Sequence, residues 1–412
     1  MANGYAIKTD DFRSRFMDKL LMGMSWPEYM RSLVTPFNFV AFVILCVGLP
    51  QIVLRFIFGL AHAVHPSNEY PWGLFLSWGL FGGVPLSATG FVMATAYYIF
   101  GFKGYHPLVR LSVLTGLLGY FFAVVYLLCD LGRPWRIYYP MGISFGTASV
   151  LFLVAWHVAT YLTVQLLEFS PAILEWLKAS RVRRWATMMT IGMTITGIIL
   201  STLHQSALGA MWLLAPGKVH PLWYSQYLPI LFLSSAVYGA LCQIIVVSTL
   251  SVRFLKSKCG PELLNNIDRL TIGLGKGAAI GMFIYFAIKV IAIAHDDNWS
   301  LVATSSYGPW FLVELLGFVF LPIMVFTYGV KQKSVGTVRF AAFWGVVGIL
   351  LNRLNICLIT FNSTLPNHFE HIIPPFGEVS IVLAIVTLHI LIFRWILNRL
   401  PVLREEPGFE QH

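Results

Sequence analysis

The run VRLSVLTGLLGYFFAVVYLLCDLGRPWR, residues 109–136, decides the fold. From Leu111 to Cys129 it carries no charge; Asp130, Arg133 and Arg136 then follow within a few residues. A hydrocarbon layer of about 30 Å needs roughly 20 apolar residues in helical form, which this run supplies. It shows no alternation of polar and apolar residues, so it does not read as a barrel strand. It predicts a transmembrane helix over 109–130, with charge gathered at its far edge.

Working outward, comparable runs lie at 35–60, 72–100, 147–168, 186–206, 228–252, 272–294, 309–330, 337–359 and 377–398. Together they predict an all-α polytopic membrane protein with ten transmembrane helices. Residues 1–34 form one tail, 35–398 the membrane domain and 399–412 a second tail. Composition agrees. Of 412 residues, 57% are hydrophobic and 11% charged, against about 25% charged in a soluble domain. Mean hydropathy is +0.73. Segment 13–33 mixes Phe16, Leu20, Trp26 and Met30 with charges, so it fits an amphipathic surface helix or a docking segment.

The net charge of +10 does not indicate nucleic acid, because the basic residues sit in short loops between apolar runs. An even number of spans puts both tails on one side. That side holds most of the Lys and Arg, while the other loops hold only Arg133, Arg136 and Lys218. By the positive-inside rule both termini are expected in the cytoplasm, across a bacterial inner membrane. No cleavable signal is visible ahead of the first run. The opposite loops, near 61–71, 131–146, 207–227, 295–308 and 360–376, are rich in His, Trp, Tyr and Pro. They fit an interfacial aromatic belt or a surface buried by a partner protein.

Ionisable groups at membrane depth are costly, and each is a candidate for function. The spans contain Asp130, His157, His204, Lys276, Lys289, Glu314, Arg353, Glu378 and His389. Most fall toward the charge-poor face. Internal pairing of Glu314 with Arg353, or of Asp130 with Lys289, is one reading. A site that reduces a quinone is the other: its carbonyl oxygens need donors and the product takes up two protons. His157 and His389 stand alone on their helices, which argues against a haem held between paired histidines. The five cysteines show no C-x-x-C spacing, so no iron–sulfur cluster is expected in this chain. GLFGG at 79–83 and GLGKG at 273–277 lack the strand–helix setting of a phosphate loop and suit close helix packing.

Several ordered strings resemble the NrfD/PsrC family of quinone-interacting membrane subunits. They are PWG at 71–73, YHPLVR at 105–110, DLGRPWR at 130–136, EFSPA at 168–172, HQSALG at 204–209 and KVHPLW at 218–223. WFLVELL at 310–316 and NRLN at 352–355 complete the set, and the branch most resembled is the ten-helix, hydrogenase-2 type. The resemblance implies two four-helix bundles, helices two to five and six to nine, plus two peripheral helices. It implies quinone, menaquinone favoured, as the redox substrate, with no haem or iron–sulfur cluster in the chain. A periplasmic ferredoxin-like iron–sulfur subunit would dock on the charge-poor loops, with a catalytic subunit or multihaem cytochrome beyond it.

Carried onto this sequence, the resemblance makes Asp130 and His204 the catalytic candidates. Trp72, Asp130, His204, Gln205 and Arg353 would bind quinone. The family motif also reaches Glu314, a candidate proton carrier, and Arg133, a candidate partner contact; from their own positions Lys289, His157 and Glu378 in the spans join the proton path, and Arg136 and His220 in the loops join the partner contacts. The expected role is a quinone reductase subunit that works only within its complex. A quinol oxidase running the other way, a secondary transporter and a passive anchor are the competing readings. The branch has an Asp seven residues after the tryptophan of its PWG string; here that position is Gly79, which puts a proton route through that helix in doubt.

Overall fold

In the computed structural model the chain is described over residues 16–366 and 368–405, with only the backbone of Phe369 and Glu370. Lys8, Arg13, Arg15 and residues 406–412 lie outside the described residues. Ten helices are long and apolar enough to cross a membrane. They are α1 (Pro36–Phe58), α2 (Phe75–Ile99), α3 (Lys103–Asp130), α4 (Val150–Trp176), α5 (Ser180–Leu214), α6 (Leu228–Phe254), α7 (Pro261–His295), α8 (Gly308–Lys331), α9 (Val335–Ile359) and α10 (Phe376–Arg399). No strand occurs among the described residues; a single bridge joins Val219 and Phe361.

Local chemistry sets several helix starts. Thr35 accepts a hydrogen bond from the Asn38 N–H, and Pro36 takes the first helical position, where no donor is needed. The sequence underestimates α5 and α7, each 35 residues long. At 1.5 Å per residue they run to about 52 Å, beyond the hydrocarbon layer. Their N-terminal turns carry the charge: Arg181, Arg183 and Arg184 in α5, and Glu262, Asp268 and Arg269 in α7. Helix α4 also continues past its expected end and through Pro171 to Trp176.

The interior spans are the least regular. Helix α2 is π-helical at Phe75–Gly82 and Thr95–Ile99 and turns at Ser87–Ala88; α8 and α9 contain π segments at Val313–Phe320 and Asn355–Ile359. Such bulges re-aim side chains and concentrate at functional sites. Three spans, α2, α8 and α9, carry such segments, each with its chain continuous.

Burial orders the layers. The apolar window of α2 is 83% buried, whereas those of α1 and α5 are 17% buried and face the lipid position. Helix α4 packs along α5, α6 along α7, α8 along α9 and α1 along α10, while α6 also lies against α2, α5 and α9. Glycines permit the closest approaches. A Cβ at Gly48 would stand 2.4 Å from the Ala384 Cβ and 2.5 Å from the Ser380 carbonyl oxygen, so α10 rests directly on the α1 backbone. Gly48→Val is expected to lower stability by about 1–3 kcal/mol through overpacking, read as thermal unfolding in detergent. Gly79 is equally tight: its Cβ would fall 2.1 Å from the Tyr126 ring. An aspartate at Gly79 has no room while Tyr126 fills that space.

The N-terminal segment is not one amphipathic helix. A short helix ends near Leu20, Met22 and Gly23 take positive φ, and Trp26–Ser32 forms a second helix. The Ser25 N–H and hydroxyl both donate to Glu28, closing a capping box. Lys19 donates to the Trp176 carbonyl, and Arg399 to the Leu20 carbonyl and the Tyr29 hydroxyl. The segment thus lies on the face where α1 begins and α10 ends.

Candidate functional site

On the opposite face the loops are sewn together. His220 N–H donates to the Thr360 carbonyl (3.1 Å), Asn362 N–H to the Lys218 carbonyl (2.6 Å), and the Tyr70 hydroxyl to the Asn362 carbonyl (3.1 Å). His220 accepts at Nδ1 from the Leu222 N–H (3.3 Å), so its Nε2 carries the proton and donates to Ser305 (2.9 Å). Partial burial holds its imidazole below the ordinary pKa. His220 therefore braces two loops as a neutral side chain.

Beneath these loops lies a cleft of about 50 Å³, room for a few waters or the edge of a ring. Its walls include Trp72 before α2, Asp130 at the end of α3, Glu378 in the first turn of α10, and Tyr70, Cys357 and His371. The Tyr70 and His371 rings stack at 4.0 Å. Glu378 does not cap its own helix. Its Oε1 accepts from the Leu74 N–H (2.5 Å) and the Phe75 N–H (3.2 Å), capping α2 where free donors gather. Gly73 makes room, since a Cβ there would meet Glu378 Oε1 at 2.3 Å.

Asp130 is placed by a residue that sequence reasoning passed over. Arg55 of α1, 1% exposed, donates to the Cys129 carbonyl (2.5 Å) and to the Leu131 carbonyl. It closes the C-terminal end of α3 and sets a positive charge near Asp130. Among the described residues no hydrogen bond or ion pair occupies the Asp130 carboxylate. An arginine inside an otherwise apolar run was the available signal. Arg55→Met is expected to cost about 1.5–3 kcal/mol, as hydrogen bonds from a charged donor are lost, and to show as a lower unfolding temperature.

A second polar group lies deeper. His204 and Gln205 of α5 are fully buried, because α5 continues ten residues beyond His204 rather than ending there. Gln205 donates to the Val84 carbonyl (3.1 Å) and the Tyr120 hydroxyl (3.3 Å); Gln165 donates to the Tyr161 hydroxyl (3.0 Å). The Tyr120 ring lies 5.6 Å from the His204 ring and 4.6 Å from that of Tyr161. Both ring nitrogens of His204, Oε1 of Gln165 and Gln205, Nδ1 of His157 and Nε1 of Trp212 have no protein partner. Buried polar atoms are satisfied as a rule, so ordered water is the partner this cluster calls for. Trp212 meets Trp72, a wall of the cleft, edge-on at 4.7 Å. Tyr120, Tyr161 and Gln165 were missed from sequence because tyrosine and glutamine carry no charge.

The third group surrounds Glu314. Its carboxylate accepts from Trp223 Nε1 (2.7 Å), Asn352 Nδ2 (2.7 Å) and Asn355 Nδ2. Arg353 donates to Asn352 Oδ1 (2.7 Å) and Ser235 Oγ (2.6 Å), with its guanidinium 3.6 Å over the Phe232 ring. Glu314 and Arg353 are thus joined through Asn352, not as a direct ion pair. Lys289 does not reach Asp130 either; it is buried near the Phe311 ring, 5.5 Å away, and makes no ion pair among the described residues. The structure therefore brings Trp72, Asp130 and Glu378 together and leaves His204 with Gln205, and Glu314 with Arg353, in separate layers.

Arg133 and Arg136 are exposed on the loop face beside Trp135, and Arg136 lies 5.2 Å over the Tyr139 ring. His389 stacks on Phe122 at 4.5 Å, on the α10 side of α3, away from the His157 and His204 cluster. Among the described residues no group of three or more His, Cys, Asp or Glu is placed to hold a metal ion.

Comparison with known proteins finds relatives along most of the chain. The sequence profile described as "Polysulphide reductase, NrfD" matches residues 63–365. A protein of Nitratidesulfovibrio vulgaris is 43% identical over 92% of this chain and 97% of its own length. The probable Ni/Fe-hydrogenase 2 b-type cytochrome subunit of Escherichia coli is 29% identical over 88% of this chain and 90% of its own. The menaquinone reductase integral membrane subunit of Nitratidesulfovibrio vulgaris is 24% identical over 82% and 85%. With the profile covering most of its length and its ten spans in place, the chain belongs to the polysulphide reductase NrfD family of multi-pass membrane proteins.

Proposed function

We propose that this chain is the quinone-site subunit of a respiratory redox complex, and that the cleft below the loops receives the edge of the quinone ring. The observation that carries this reading is the convergence of Trp72, the unoccupied Asp130 carboxylate and Glu378 from three distant parts of the sequence. Trp72 supplies an apolar wall. Asp130 hands a proton to the quinone oxygen and is recharged through water. Two electrons from an iron–sulfur subunit docked on the loops, together with two protons, convert quinone to quinol. Menaquinone is the favoured substrate, as the name of one relative supports. The termini then face the cytoplasm and the loops the periplasm.

The three layers divide the work. Glu378 positions the start of α2 and Trp72 with it. His204, Gln205 and His157 hold the water that reloads Asp130. Glu314, tied by three donors, holds α6, α8 and α9 in register, and Lys289 is the free ionisable group on that side. Arg133, Arg136 and the neighbouring Trp135 meet the partner, over the loop scaffold that His220 braces.

The test is to purify the chain with its native partners, record a redox difference spectrum and assay reduction of a soluble menaquinone analogue. Iron–sulfur or c-type haem absorbance together with turnover supports the reading, and the partner's potential then gives the direction. A chain that purifies alone and is inert toward quinones overturns it. Trp72→Ala is expected to raise KM about tenfold with little change in kcat, because the wall binds ring and product alike.

A further inference from the structure

We infer that α7 carries a binding site for an anionic phospholipid at the face where α7 begins and α10 ends. The site is independent of the quinone reading and needs only that the chain spans a bilayer.

A groove there is lined by Phe102, Gly104, Tyr105, Arg269 and Leu270, with a volume of about 310 Å³. Arg269 and Lys276 are both exposed, two helical turns apart, and neither has an ion pair or hydrogen bond among the described residues. Gly273 lies between them on the same stripe of α7. A Cβ at Gly273 would stand 2.1 Å from the Tyr105 hydroxyl, so the Tyr105 tip rests on that stripe. This hydroxyl also lacks a hydrogen-bond partner among the described residues. One cation, Arg269, and one neutral donor thus line the open groove, and Lys276 stands exposed two turns further along the same stripe of α7.

The nearby acids are engaged elsewhere. Asp268 pairs with Arg339 at 3.1 Å, and Glu262, one turn and more farther out, lies 3.8 Å from His106. Lys103 adds positive charge at the rim, over the Tyr97 ring at 4.3 Å. The groove therefore offers a phosphate group net positive charge and directed donors.

The rest of the stripe says what the phosphate is attached to. Steps of four and three residues lead from Arg269 through Gly273 and Lys276 to Ile280 and Phe283, so all share one face of the helix. Ile280 and Phe283 are 53% and 59% exposed, and Phe100 and Phe102 on the facing wall are 65% and 54% exposed. Cations at headgroup depth followed by an apolar track match a phosphodiester with acyl chains. Basic pockets between helices at a membrane face recognise anionic lipid in this way. A free phosphate would use the cations and leave the track bare.

The intact complex, purified in mild detergent with phosphatidylglycerol and phosphatidylcholine supplied together, is analysed for retained lipid by mass spectrometry. Phosphatidylglycerol is expected to be retained over phosphatidylcholine. Arg269→Gln and Lys276→Gln are each expected to lower its retention about fivefold, the effect of one membrane-surface cation, with Arg269→Lys largely restoring it. Lys331→Gln, at the end of α8, serves as the control and is expected to change nothing. Three results overturn the proposal: equal retention of both lipids, retention unaltered in the double variant, or displacement of the lipid by millimolar inorganic phosphate. Should the double variant fail to fold, the competition between the two lipids on the wild-type complex decides alone, and an absence of preference overturns the site.

Discussion

Asp130→Asn in the intact complex is expected to lower quinone turnover by roughly 10²–10³-fold, the usual share of a positioned acid or base. The side chain keeps its volume and polarity, so the cleft should keep its shape. What is lost is a group that can give up and regain a proton. Arg55 still closes α3, because its hydrogen bonds go to the Cys129 and Leu131 carbonyls and not to the carboxylate. The variant complex should therefore assemble normally, with its partners and their redox spectrum unchanged. Turnover near the wild-type rate would remove Asp130 from the chemistry and direct attention to the His204 layer. Loss of assembly would instead make Asp130 a packing residue. The companion change His204→Gln separates these layers: as a reloading group outside the cleft, it should slow turnover without altering KM.

Glu314→Leu is expected to have the largest effect on folding. The carboxylate satisfies Trp223, Asn352 and Asn355 at once, in a buried position contributed by α8, α9 and the loop before α6. Removing it strands three donors and leaves the nearby Arg353 charge without its counter-charge. Each unsatisfied buried donor costs about 1–3 kcal/mol, and breaking a buried charge network costs about 3–5 kcal/mol. Against a typical stability of about 5–15 kcal/mol this is enough to prevent recovery of folded protein. The check is the yield of monodisperse protein and its unfolding temperature in detergent. Glu314→Gln should fall between the two, since one oxygen still accepts while the new amide opposes a donor. Wild-type stability in Glu314→Leu would show that water replaces the carboxylate, and would undo the view of this residue as a fixed tie.

The two changes contrast the candidate site with its scaffold. Asp130 sits at an opening with its acceptors unused, where function needs a group free to change state. Glu314 sits in a layer where every nearby donor is aimed at it, where stability needs a group that does not change. Both read alike in sequence, as one carboxylate in or beside an apolar span. Trp72, Asp130 and His204 were singled out through motif strings; His204 is fully buried, while Trp72 and Asp130 are half-buried at the cleft. Arg55 was passed over because its role is to satisfy carbonyls at the end of another helix, 74 residues away in the chain. Glu378 was read as a proton carrier; its further role, capping α2 from more than 300 residues away, is one that no local pattern announces.

What the sequence determined by itself was the number of spans, the sidedness of its charge and its resemblance to a family. Lipid makes these legible: each backbone group must be satisfied within its own helix, so about 20 apolar residues suffice to define a span without reference to any other part of the chain. The tertiary structure decided where α5 and α7 end, where α2, α8 and α9 bulge, and which polar side chains meet. Helix ends in water are not limited by lipid thickness, and a bulge or a cap depends on what packs against it. Grouping Trp72 with Asp130 and Glu378 around one cleft, while setting His204 and Glu314 in other layers, follows from contacts between residues far apart in the chain, which only the packed helices bring together.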